Sequence, residues 1–166
     1  IQSDRFFNKL TLTNDNIPDD KLLALAFILH QSNRLNAVKA KNILNSNTLS
    51  FVYNASVEYL YQKYLEDPEK IKSIFREERE KFDIIPKKQK SLYITKKSYR
   101  MLMFLKRELY ISRGFVMQIA IEQYYNYLCS DEYLTLLINK RNEVLKEIAY
   151  AISKQTADKR SIAFIN

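Results

Sequence analysis

The stretch "KKQKSLYIT", residues 87 to 95, carries the side chains best suited to recognition chemistry. Side chains alternate along a strand with a period of two, so Gln89, Ser91 and Tyr93 would line one side and Leu92 and Ile94 the other. An amide, a hydroxyl and a phenol can each donate and accept hydrogen bonds. Lys87 and Lys88 place positive charge where that strand begins. Further along, Ser112, Arg113 and Gly114 open a helical pattern, and a helix N-terminus beside a guanidinium is a ready anion site.

Catalysis has no comparable grouping. His30, the single histidine, ends an apolar run without companions at metal-ligand spacing, so a core or capping role is expected. Cys129 cannot form an internal disulfide and is expected to be a small buried hydrophobe, far in sequence from any histidine base. Glu77, Glu78 and Glu80 alternate with Arg76 and Arg79, the pattern of a solvated helix face. One glycine cannot build a phosphate-binding loop. A non-enzyme without metal or cofactor is expected.

The elements that must hold these residues are mainly helical. One Gly and three Pro in 166 residues leave too little punctuation for hairpins or sandwiches. At 46% hydrophobic, the chain can bury one moderate core or two small ones. No membrane span or signal pattern is visible, so a cytoplasmic protein of a bacterial, archaeal or mobile-element host is expected. Ile1 in place of Met is what a trimmed or partial chain would show. Net charge is +8, and the excess is local: residues 81 to 113 hold 10 basic and 2 acidic side chains, whereas the segments on either side balance. Such a window is the footprint expected for a polyanion, usually nucleic acid.

Along the chain, residues 1 to 17 read as irregular. "NIPDDKLLALAFILHQ" reads as a helix, with Pro18, Asp19 and Asp20 at its start and a buried apolar run from Leu22 to Leu29. Further helices are expected over 37 to 45, from a cap at Asn47 or Thr48, and from Asp67 with Pro68 at its first position. Pro86 marks a domain boundary, which gives a helical region over 1–85, a module over 86–130 and a C-terminal helix and tail over 131–166. Within the module come a strand from Lys88 to Ile94 and helices over 96–109 and 113–128. Thr95 and Ser112 are the expected caps, and no internal repeat is visible.

Over residues 88 to 128 the chain resembles the ribbon-helix-helix (MetJ/Arc) superfamily of DNA-binding proteins. The likeness rests on the strand "KSLYIT", the helix "KKSYRMLMFLKREL" and "ISRGFVMQIAIEQYYNYL". Where the family often ends its first helix on a left-handed Gly, this chain has Tyr110. The resemblance implies a homodimer or higher oligomer, in which two strands pair antiparallel and enter the major groove of double-stranded DNA. Gln89, Ser91 and Tyr93 would then contact bases, and Lys87, Lys88, Ser112, Arg113 and Gly114 phosphates. Leu92, Ile94, Leu102, Leu105, Phe115, Ile119 and Tyr124 would form the dimer core. Proteins of this kind act as transcriptional repressors or as plasmid partition and conjugative-transfer accessory factors, and residues 1–85 would meet a protein partner. The competing expectation is a helical scaffold whose basic segment binds an acidic protein or membrane surface.

Overall fold

The computed structural model describes residues 18–165, with side chains as far as residue 160. The irregular segment expected over residues 1 to 17 lies outside them. The elements run β1 (Leu22–His30), α1 (Ser32–Leu44), α2 (Leu49–Glu66), α3 (Pro68–Ile84), β2 (Lys87–Thr95), α4 (Lys96–Leu109), α5 (Arg113–Leu128) and α6 (Asp131–Ile165). The described chain is therefore mainly helical, with one small two-stranded antiparallel sheet. It divides into two compact units, one ending at Asn126 and one beginning at Tyr127. Among the described residues, no helix is long and apolar enough to cross a membrane.

The expected helix over Leu22 to Leu29 is the strand β1. Leu23, Leu25, Phe27 and Leu29 are buried, while Leu22, Ala24 and Ile28 are exposed and Ala26 is half-buried. Both faces of β1 are apolar, so this alternation of burial does not register as a period of two in hydropathy. β2 overrides the local helical preference of Leu and Ala by pairing with this backbone along its whole length, from Leu22 opposite Thr95 to His30 opposite Lys87. Two expectations fall with that pairing. The partner of the 87–95 strand comes from the same chain rather than from a second copy, and the described residues up to Asn126 form one compact unit that is not divided at Pro86.

A strand–helix–helix unit occurs twice. β1, α1 and α2 form the first copy, and β2, α4 and α5 the second, with the two strands starting 65 residues apart. The buried positions of α1, Asn33, Ala37 and Ala40, recur at the same spacing as Ser98, Leu102 and Leu105 of α4. Both first helices end on a left-handed residue, Asn45 (φ 53°) and Tyr110 (φ 54°). Both second helices start with a hydroxyl cap, Thr48 accepting from the Phe51 N–H at 3.3 Å and Ser112 from the Phe115 N–H at 3.2 Å.

The two copies embrace each other through matched contacts. The Thr95 N–H donates to Asn54 Oδ1 at 2.8 Å, and at the equivalent place the His30 N–H donates to Gln118 Oε1 at 3.2 Å. Tyr61 packs edge-on against Phe104 with centroids 5.4 Å apart, while at the counterpart pair the Lys39 ammonium lies 5.9 Å from the Tyr125 ring. Each contact joins the second helix of one copy to the strand or first helix of the other. Ala26 and Ser91 occupy equivalent positions and stand opposite each other in the sheet. An approximate twofold axis between the strands requires that register.

α3 connects the copies and closes the core. Its Ile71, Phe75 and Phe82 are buried on one face, and Phe82 stacks on Phe115 at 4.4 Å while Phe75 meets it edge-on at 5.0 Å. His30 is buried here, stacked on Phe82 at 4.9 Å. In the second unit, α6 has Ser130 at its cap. Its apolar residues Leu134, Leu137, Leu145, Ile148 and Ile152 are all exposed. Cys129, expected to be buried, is also exposed.

Candidate nucleic-acid interface

β1 and β2 bury Leu23, Leu25, Phe27, Leu29, Leu92 and Ile94 on one face, and on the other Leu22, Ile28 and Tyr93 are exposed. Gln89, Ser91 and Tyr93 lie on that outward face and are exposed. Their partners across the sheet are Ile28, Ala26 and Ala24 respectively. From residue 89 to 93 the strand advances roughly 13 Å, about the rise of four base pairs. A major groove about 12 Å wide admits a two-stranded ribbon of this kind.

The N-termini of α2 and α5 flank the ribbon at equivalent positions. At the first, Ser50 Oγ donates to the Tyr93 carbonyl at 2.9 Å, which fixes the end of α2 on β2. A cleft of about 380 Å³ opens beside it, lined by Arg34, Ser50, Tyr53, Lys90, Ser91 and Tyr93 among others. Burial, with Arg34 and Lys88 nearby, holds the Lys90 ammonium below the usual lysine range. Burial pushes the Tyr53 phenol up, opposed by Arg34. Crowded cations at a helix N-terminus form a site that an anion would relieve.

At the second N-terminus the Arg113 guanidinium lies 5.5 Å from the Phe27 ring centroid. Gly114 is buried against β1, where an added Cβ would fall 2.2 Å from the Ile28 carbonyl oxygen. Its missing side chain lets α5 cross the ribbon backbone, which replaces the expected role of admitting phosphate. Ser112 is exposed and caps the helix.

Lys87 is committed elsewhere. Its ammonium donates to the carbonyls of Phe82 at 2.7 Å, Asp83 at 3.2 Å and Ile85 at 3.3 Å, and so caps the end of α3 rather than waiting for phosphate. Lys88 is exposed opposite Leu29. The expected dimer core is buried without a second copy: Leu92, Ile94, Leu102, Leu105, Phe115 and Ile119 are buried within one chain. Tyr124 is half-buried, its ring 5.6 Å from that of Tyr59.

Arg34, Ser50 and Lys90 are not marked out by the sequence, since Arg34 and Ser50 become neighbours of β2 only through the first copy of the unit. A signal was available. "SFVYNASVEYLYQ" at 50 to 62 and "GFVMQIAIEQYYN" at 114 to 126 share Phe-Val, a Glu and a Tyr in register. Neither family models, nor characterised proteins, nor solved structures give a match to this chain.

Proposed function

We propose that residues 22–126 form a single-chain counterpart of a ribbon-helix-helix dimer and bind double-stranded DNA with the β1–β2 ribbon in the major groove. The observation that carries this reading is the outward row Gln89, Ser91 and Tyr93 on the β2 half of the ribbon, held between two helix N-termini at equivalent positions with Arg34 and Lys90 near one and Arg113 at the other. Gln89, Ser91 and Tyr93 read base edges, the amide pairing with adenine and the hydroxyls with donors or acceptors. The helix ends, Lys88, Ser112 and Arg113 hold phosphates on either side and set the register. Repression, plasmid partition and conjugative transfer are all roles such a binder fills.

Fluorescence anisotropy on a labelled duplex across a salt series tests this reading. Arg34→Ala and Arg113→Ala should each weaken binding to all sequences and flatten the log K against log salt slope by about 0.9. Unchanged slopes in both variants would remove the phosphate assignments. Binding to acidic protein or anionic vesicles with none to duplex would favour the scaffold reading instead.

A further inference from the structure

We infer that the DNA site recognised by this ribbon is non-palindromic and that the protein sits on it in one orientation; the inference rests on the DNA-binding reading above. Two identical strands related by a twofold axis present the same side chains at both ends of a ribbon. Here the equivalent outward positions differ, Ala24 corresponding to Gln89, Ala26 to Ser91 and Ile28 to Tyr93. The register therefore sets Ile28 beside Gln89 at one end of the face and Tyr93 beside Ala24 at the other, with Ala26 and Ser91 between them.

The chemistry of the two ends diverges accordingly. Gln89 offers an amide that matches the N6 and N7 edge of adenine, and the neighbouring Ile28 offers methyl groups to the C5-methyl of thymine, so this end selects A·T pairs. At the other end Ala24 is too short to reach a base, and Tyr93 alone sets the preference with its ring and hydroxyl. The anchors differ too, because Arg34 and Lys90 line the cleft beside the α2 N-terminus while the α5 N-terminus carries Arg113. Turning the protein end for end would bring each set of groups over base pairs suited to the other, with a loss of roughly tenfold or more per mismatched position.

The test is selection from a random duplex pool at near-physiological salt, using wild type, Gln89→Ala, Tyr93→Ala, and the triple variant Ala24→Gln, Ala26→Ser, Ile28→Tyr that copies the β2 face onto β1. Thermal unfolding of each variant checks that these surface changes leave the fold intact. The wild type should enrich a motif that is not its own reverse complement, and each single variant should relax one end only. The triple variant should shift enrichment toward a self-complementary motif. A palindromic wild-type motif, or a single variant that relaxes both ends, would overturn the polarity while leaving DNA binding standing. Absence of any enrichment would overturn the sequence-reading role itself, and the polarity with it.

Discussion

Replacing Gly114 with Ala tests whether α5 crosses the ribbon of its own chain. In a free helix this change is favourable by up to about 1 kcal/mol, because Ala is the best helix former and Gly among the worst. Here the new Cβ would stand 2.2 Å from the Ile28 oxygen, 3.1 Å from its carbonyl carbon and 3.2 Å from its nitrogen. A carbon normally approaches a carbonyl oxygen no closer than about 3.3 Å, so helix and strand must part by roughly 1 Å. The obstacle is paired backbone, which cannot rotate aside as a side chain would. Overpacking costs about 1–3 kcal/mol, and against paired backbone the upper part of that range, about 2–3 kcal/mol, leaves a net loss of about 1–2 kcal/mol after the propensity gain. For a chain of this length the melting temperature should fall by about 2–8 °C, read by circular dichroism. Ser50→Ala, at the equivalent place on α2, loses the hydrogen bond donated to the Tyr93 carbonyl and the one accepted from Asn54 Nδ2, and should cost about 1–2 kcal/mol. A higher melting temperature for Gly114→Ala would refute the crossing.

Tyr110→Gly should stabilise by about 0.5–1 kcal/mol, since Tyr110 is exposed and held at φ 54° where a Cβ is strained; calorimetry reads the gain. Gln118→Ala and Asn54→Ala should each cost about 1–2 kcal/mol in chemical denaturation, because they strip equivalent acceptors from the His30 and Thr95 N–H groups. Lys90→Gln should raise the melting temperature and weaken duplex binding at the same time. Its lowered folded-state pKa means that the charged ammonium disfavours the fold, so the gain is full below that pKa and fades as pH rises toward the unfolded value of 10.5. Denaturation of the variant and wild type from pH 7 to 10.5 reads that convergence. Leu25→Asn should severely destabilise and Ala26→Asn should not, because Leu25 is 2% exposed and Ala26 lies on the outward face.

Much of the second strand–helix–helix copy was legible in the sequence. Polar and apolar residues alternate in β2, Thr95 and Ser112 announce their helices by type, and α4 and α5 have the expected bounds. The left-handed turn at Tyr110 arises even though Gly is absent there, because the paired elements on both sides impose it. β1 was illegible for a physical reason. Its outward residues are Leu22, Ala24, Ala26 and Ile28, so both faces are apolar, and only Ile28 is β-branched. An apolar run of eight does not distinguish a buried strand from a buried helix, and the deciding partner lies 65 residues away. The duplication was hidden because the first copy fills with Ala37 and Ala40 what the second fills with Leu102 and Leu105. Of the site, the outward triad of β2 could be read from its alternation, whereas Arg34 and Ser50 depend on the unseen fold of the first copy.

Native mass spectrometry of the protein titrated into a duplex carrying a single selected site shows whether one chain supplies both strands of a DNA-reading ribbon. A ribbon built from a single chain gives one chain per duplex at half-saturation and a hyperbolic isotherm. Two chains as the smallest bound species, or no complex with any duplex, would contradict it.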